Sequence, residues 1–315
     1  MSFSMRTNGK LLLTGEYFVT EGAVSLALPT HLGQTLDVSP SDNSKAVLVW
    51  KSYDKNETIW FEATFDLPAL NIVQLEGDDD KEKVAENLQN ILKQAKQLNS
   101  NFLNNQTGLE AKTVLEFDRD WGLGSSSTLI TMIAEWAKVD PFELLKNTFG
   151  GSGYDIVAAK AEGPMLFQKF NGVNRWDKSQ FNPAFKGQLY FVHLGKKQSS
   201  REALVHYTVT PPEEREVPLP RITQITHDIA QYTDNLADFE ALLEEHETLV
   251  QSIIKQPRAK EVHFNDYWGE IKSLGGWGGD FVLATSNKSE TETKEYFNAK
   301  GFSTILAYEE IIKEY

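Results

Sequence analysis

Residues 118–128 read DRDWGLGSSST and lie between an apolar run of strand character, TVLEF, and a run of helical character, LITMIAEWAKV. A strand-to-helix turn is complete with one glycine and one capping hydroxyl. Here Gly122 and Gly124 are followed by Ser125, Ser126, Ser127 and Thr128, which is more bare backbone and more hydroxyls than capping uses. The amino end of a helix carries unpaired N–H groups and about half a positive charge, and glycine lets a ligand come close to the main chain. The stretch thus has the makings of a phosphate-binding turn. It is not the usual P-loop, because G-x-x-x-x-G-K-[ST] is absent. Taken alone, the same residues also read as a serine-capped helix start.

The flanking chain gives the fold class. KLLLTGEYFV, QTLDVSP, KAVLVWKSY and ETIWFEATFDL are apolar or alternating runs separated by polar turns, which predicts strands of an antiparallel sheet. DKEKVAENLQNILKQAKQL places Val84, Leu88, Ile91, Leu92, Ala95 and Leu98 at spacings of three and four, the signature of an amphipathic helix. DPFELLKNTF predicts a short helix capped by Asp140 with Pro141 in its first turn. GGSGYDIVAAKAEGPMLFQKF reads as glycine turn, helix and strand, and GQLYFVHLGKK as a strand. VTPPEEREVPLP is the clearest break in composition and reads as a loop. After it come two helical patterns, RITQITHDIAQYTDNL and DFEALLEEHETLVQSII. A second glycine turn, SLGGWGGD, then feeds the strand FVLATS, and a closing helix and strand follow. This order predicts a mixed α+β protein.

At 315 residues the chain is long for one core, so two domains or one large bilobal unit are expected. Lys and Arg number 31 against 45 Asp and Glu, a net charge of -14, and such a field repels nucleic acid and anionic membranes. An anionic small ligand needs a locally positive pocket. With no cysteine, thiolate metal sites, disulfides and cysteine nucleophiles are excluded. No apolar run approaches a membrane span and no signal core follows the start, which predicts a soluble, cytoplasmic protein without nucleic-acid or membrane partners. The six histidines show no metal-ligand spacing and are read as structural or surface residues. Trp50 and Trp60 are read as core aromatics, with an adenine pocket as the alternative.

Three stretches taken together carry a family resemblance. TNGKLLLTGEYFVTEGAVSLALPT, GLGSSST and GGSGYDIVAA resemble, in order and spacing, the motifs of the superfamily of galactokinase, homoserine kinase, mevalonate kinase and phosphomevalonate kinase, the GHMP kinases. Such chains show P-G-K-[hydrophobic]-G-E-[HY], G-L-G-S-S and S-G-x-D, then a late T-G-A-G-x-G-G. GEYFVTEGAVSLALPT is most similar to the mevalonate and phosphomevalonate branch. In the late turn Leu274 stands where the family has its first glycine, and Asp280 resembles the phosphomevalonate form. Arg119, Asp120 and Trp121 stand where the loop normally opens with proline and an extra glycine. Leu144 takes the place of a magnesium-binding glutamate, with Glu143 beside it.

The resemblance implies a two-lobed fold: an N-terminal ATP-binding domain over 1–175 with a mixed sheet, and a C-terminal domain over 176–315 of ferredoxin-like α/β sandwich form. It implies an ATP- and Mg²⁺-dependent kinase for a small anionic alcohol, most of all mevalonate or phosphomevalonate, acting as a monomer or homodimer. Asp155 would be the base that orients the acceptor hydroxyl, and Lys10 its cationic partner. Gly122, Leu123, Gly124, Ser125, Ser126, Ser127 and Thr128 would cradle the nucleotide, with Ser126 on the metal. Glu16, Ser152, Lys197, Ser200, Arg201 and Gly276 would line the acceptor, and Lys196, Lys197 and Arg201 form a compact basic cluster suited to an anionic group. A homoserine or sugar kinase is the first alternative. A catalytically inactive nucleotide-binding homologue is the second.

Overall fold

In a computed structural model, residues 2–41, 45–104, 107–195, 200–231, 234–277 and 279–315 of the chain are described, with the backbone alone at 200–203 and 206. The chain forms two compact units. One comprises Met1–Gly9, Leu32–Arg119 and Leu123–Lys160; the other comprises Lys10–His31, Asp120–Gly122 and Ala161–Tyr315. Strands β1 (Phe3–Thr14) and β2 (Ser25–Pro40) pair with each other and pass through both.

The first unit adds β3 (Val47–Tyr53), β4 (Ile59–Asp66), β5 (Ile72–Gly77), α1 (Lys81–Leu98), β6 (Leu109–Leu115), α2 (Ser125–Ala137), α3 (Pro141–Thr148) and α4 (Tyr154–Ala158). Its strands are ordered β5-β4-β3-β6-β2, with β3 and β6 parallel and the β4, β5 and β2 pairings antiparallel. Alternation sets the faces, as predicted. Leu48 and Trp50 of β3, Phe61, Ala63 and Phe65 of β4, and Leu109 and Ala111 of β6 turn into one core. Helix α1 covers it with Ala85, Leu88, Ile91, Leu92 and Ala95, and α2 with Ile130, Met132, Ile133, Ala134 and Ala137. Leu98, expected on that stripe, is exposed because it is the last residue of α1. Asp140 caps α3 as the sequence predicts, accepting from the Phe142 and Glu143 N–H groups behind Pro141, an arrangement worth about 1 kcal/mol. Asp80, at the equivalent place on α1, makes no cap because its carboxylate takes Arg119.

In the second unit a 3-10 turn, Phe18–Glu21, joins β1 to β2, and β2 pairs with β7 (Met165–Phe170), which pairs with β8 (Val173–Lys178). Then come β9 (Leu189–His193), α5 (Ser200–Val209), α6 (Pro212–Arg215), α7 (Leu219–Gln231), α8 (Leu236–Ile254), α9 (Ala259–His263), β10 (Ile271–Ser273), β11 (Phe281–Thr285), α10 (Glu290–Ala299), β12 (Ile305–Ala307) and α11 (Tyr308–Ile311). The last four strands form an antiparallel sheet ordered β10-β11-β9-β12. Numbered by appearance this is 2-3-1-4, with helices after the first and third strands, the split βαβ arrangement of ferredoxin-like folds. The proline-rich stretch read as a loop contains α6, started by Pro211 and Pro212. No helix among the described residues is long and apolar enough to cross a membrane.

Candidate active site

Helix α2 begins directly at the serine run. Gly124 occupies its N-cap position in the left-handed region, φ 86°, where L side chains are strained, and no side chain caps the helix. The first bond of the helix is Thr128 N–H to the Gly124 carbonyl, so the amides of Ser125, Ser126 and Ser127 precede the intrahelical ladder. The hydroxyls divide into two kinds. Ser127 donates to the Gly124 carbonyl at 2.8 Å, and Thr128 donates to Gln34 at 2.6 Å or to the Ser125 carbonyl at 2.9 Å. Both are buried and brace the turn. Ser126 is exposed and Ser125 half-buried, while Leu123 is fully buried.

Asp155 lies in the first turn of α4 in the same unit. Gly150, Gly151 and Gly153 before it all have positive φ. The half-buried Asp155 accepts from the Ile156 N–H at 3.1 Å, and Ser152 is buried in the glycine turn. The far end of α4 is tied to β1 by Asn8 N–H donating to the Ala159 carbonyl at 2.9 Å. Leu144 is a core residue without exposure, and Glu143 is turned outward. Among the described residues no three His, Asp or Glu are grouped to hold a metal. A cation at this turn would therefore rest on the Ser126 hydroxyl, ligand oxygens and water, a donor set that suits Mg²⁺.

In the second unit Lys10 lies inside β1, half-buried, and its ammonium donates to the Gly122 carbonyl at 3.1 Å. The structure thus brings Lys10 to the first glycine of the loop. Glu16 has a setting the sequence did not show. It is buried and ion-paired with Lys272, whose ammonium also lies 3.1 Å from Glu247 and donates to the Ser273 carbonyl at 2.6 Å. Ser273 donates to Glu247 at 3.1 Å. His246 accepts from the Gly15 N–H at 3.0 Å and lies 3.4 Å from the Glu16 carboxylate.

Burial pushes the Glu16 carboxyl up to about 7, against the pull of Lys272. Burial likewise raises Glu247. It opposes the charge on Lys272 as well, but the two carboxylates outweigh it and hold that ammonium protonated. His246 is driven well below its ordinary value by burial and by Lys272, so it is neutral. Two signals in the sequence point to this cluster: Lys272 directly precedes the late glycine turn, and His246 and Glu247 fall on the apolar stripe of α8 with Phe239, Leu243 and Val250.

Of the remaining expected site residues, Gly276 is buried in the late turn and its carbonyl accepts from the Gly279 N–H. Lys196 and Lys197, and the side chains of Ser200 and Arg201, lie outside the described residues. Trp50 is buried in the core, and Trp60 carries the Arg119 guanidinium over its ring at 3.8 Å.

No sequence-family model matches the chain, and no curated protein matches it in sequence. Solved structures do match it in fold. Mevalonate kinase of Methanococcus jannaschii superimposes with TM-score 0.70 at 17% identity, over 97% of this chain and 97% of that one. Galactokinase of Lactococcus lactis, in complex with galactose, gives 0.69 at 10% identity over 99% and 93%. Phosphomevalonate kinase of Streptococcus pneumoniae, in complex with phosphomevalonate and AMPPNP, gives 0.66 at 16% identity over 96% and 99%. The chain has the fold of the GHMP kinases along essentially its whole length.

Proposed function

We propose that this protein is an ATP-dependent small-molecule kinase that transfers the γ-phosphoryl group to an anionic alcohol or phosphate acceptor, with mevalonate or phosphomevalonate the first candidates. The observation that carries the reading is the start of α2, where a left-handed glycine and three amides ahead of the helical ladder meet hydroxyls beyond those that brace the turn. That arrangement suits the oxygens of a nucleotide phosphate chain. The GHMP-kinase fold and the complex of a structural neighbour with AMPPNP support it.

In this reading Gly122, Leu123, Gly124, Ser125, Ser126, Ser127 and Thr128 form the nucleotide loop. Ser126 would hold Mg²⁺ together with phosphate oxygens and water, and the ion would neutralise charge on the phosphates. Asp155 accepts the proton of the acceptor hydroxyl as its oxygen bonds to the γ-phosphorus and the bond to the ADP oxygen breaks. Such a base contributes about 10²- to 10⁴-fold. Lys10 stabilises negative charge on the attacking oxygen. Glu16, Ser152, Gly276 and the segment with Lys197, Ser200 and Arg201 serve the acceptor side. We also assign the protein to the cytoplasm, as monomer or homodimer.

The test is ADP release by the purified protein with Mg²⁺ and ATP, screened over mevalonate, phosphomevalonate, homoserine and simple sugars. Turnover on one of the first two is expected. Turnover on another alcohol alone would move the acceptor assignment, and nucleotide binding with no turnover on any would replace the kinase by an inactive nucleotide-binding homologue.

A further inference from the structure

Asp120, Trp121 and Gly122, which open the phosphate loop, are each held by a residue of the four-stranded sheet or its glycine turn. The Asp120 carbonyl lies 3.2 Å from His193 Nε2, and since a carbonyl only accepts, that nitrogen carries the proton. Trp121 stands edge-on to Phe281 with ring centroids 5.5 Å apart. His193 and Phe281 are cross-strand partners in β9 and β11. Gly122 meets Asp280, the residue before Phe281. A Cβ built on Gly122 would fall 2.4 Å from the Asp280 carboxyl carbon, so the carboxylate occupies the place of a side chain. The same carboxylate lies 3.2 Å from where a Cβ of Gly275 would be.

Asp280 is therefore wedged between a glycine of the loop and a glycine of the late turn, both with φ near 70° (67° and 69°). Its own φ is 54°, a left-handed conformation that is strained for a residue carrying a side chain. Two backbone bonds hold it there: Leu194 N–H to the Asp280 carbonyl at 2.8 Å, and Leu274 N–H to the Phe281 carbonyl at 3.0 Å. The Gly122 carbonyl, on the other side of the same residue, takes the Lys10 ammonium.

We infer that Asp280 is a positioning residue for the phosphate loop: its carboxylate fixes the Gly122 peptide from which the loop departs, and so sets the loop's geometry for nucleotide. The role of the loop rests on the kinase reading above; the positioning itself does not. Two kinds of measurement separate them. In the nucleotide-free protein, Asp280→Ala is expected to speed amide hydrogen exchange over residues 120–128 relative to wild type. In kinetics it is expected to raise the KM for ATP by about tenfold to a hundredfold with the acceptor KM little changed, as for a group displaced by a fraction of an ångström to an ångström. Asp280→Asn, which fills the same space without the charge, should recover most of both properties. Gly122→Ala, whose methyl would overlap the carboxylate, should reproduce the Asp280→Ala defect.

Unchanged exchange in folded Asp280→Ala would overturn the proposal, as would an Asp280→Asn variant as impaired as the alanine, which would make the role one of charge. Faster exchange in a protein that binds no nucleotide would uphold the positioning and remove the kinase reading instead.

Discussion

Lys272 places its ammonium between the carboxylates of Glu16 and Glu247, and neither Lys272 nor Glu247 exposes any side-chain surface. The three residues come from β10, from the turn after β1, and from α8, so this cluster fastens the opening motif of the chain to its late glycine turn. Removing the shared cation leaves two buried carboxylates without their partner. Lys272→Met is expected to lower unfolding free energy by about 3–5 kcal/mol, checked by urea denaturation at pH 7. Glu16→Gln leaves Lys272 with Glu247 and should cost distinctly less.

The same cluster predicts a pH dependence. The folded-state value of Glu16, about 7, stands above its ordinary 4.5, so the folded protein keeps this proton to higher pH than the unfolded chain does. Its contribution is fully present below the unfolded value and is lost as pH rises through the folded one. Between about pH 4.5 and 7 this loss is on the order of 3 kcal/mol. Denaturation of wild type and Glu16→Gln at pH 5 and pH 8 should show wild type falling relative to the variant. Parallel behaviour at the two pH values would mean that Glu16 is not the titrating group.

What the sequence shows and what it hides follows from range. The loop, the Asp140 cap and the alternation of β3 and β4 are local, and each is readable within a dozen residues. Trp50, read as a core aromatic, is in the core as well. The partnership of Glu16 with Lys272 spans 256 residues, and that of Gly122 with Asp280 joins two glycine turns that are separate in sequence. No periodicity encodes such contacts. Likewise residues 10–31 form a compact unit with residues after 160, an exchange of strands that leaves no mark in composition.

The two kinds of hydroxyl in the loop allow the proposed ligand role to be tested apart from the structural one. Ser126→Ala removes an exposed hydroxyl and should leave the thermal midpoint unchanged while lowering magnesium-dependent turnover by roughly tenfold to a hundredfold, the worth of one hydrogen bond or ligand to a charged group. Ser127→Ala removes the bond to the Gly124 carbonyl, and its effect should appear first in stability, at about 1 kcal/mol. Calorimetry and a magnesium titration of turnover on both variants check the division.

The acceptor role proposed for Lys197 and Arg201 is open to a direct kinetic test. Lys197→Ala and Arg201→Ala are expected to raise the acceptor KM by about tenfold or more while the KM for ATP stays within about twofold, since a charged pair of this kind is worth about 1.5–3 kcal/mol. Equal changes in both constants would remove the cluster from the acceptor side.

The proposed mechanism rests on Asp155. It follows three glycines with positive φ and accepts from the next amide, Ile156 N–H, so its carboxylate is oriented by the main chain and not by a long flexible stem. Asp155→Asn keeps size and hydrogen bonding but removes the charge and most of the basicity, and turnover should fall by about two to four orders of magnitude. ATP affinity should hardly change, because the nucleotide is assigned to the turn before α2. Lys10→Met is expected to bring a comparable loss, and it also frees the Gly122 carbonyl that Lys10 holds. If the two act as one unit on the acceptor hydroxyl, the double variant is little worse than either single one. Steady-state kinetics on the three variants, with circular dichroism to verify folding, decides the matter. Near-normal turnover in folded Asp155→Asn would make Asp155 a structural residue of the glycine turn and require another base.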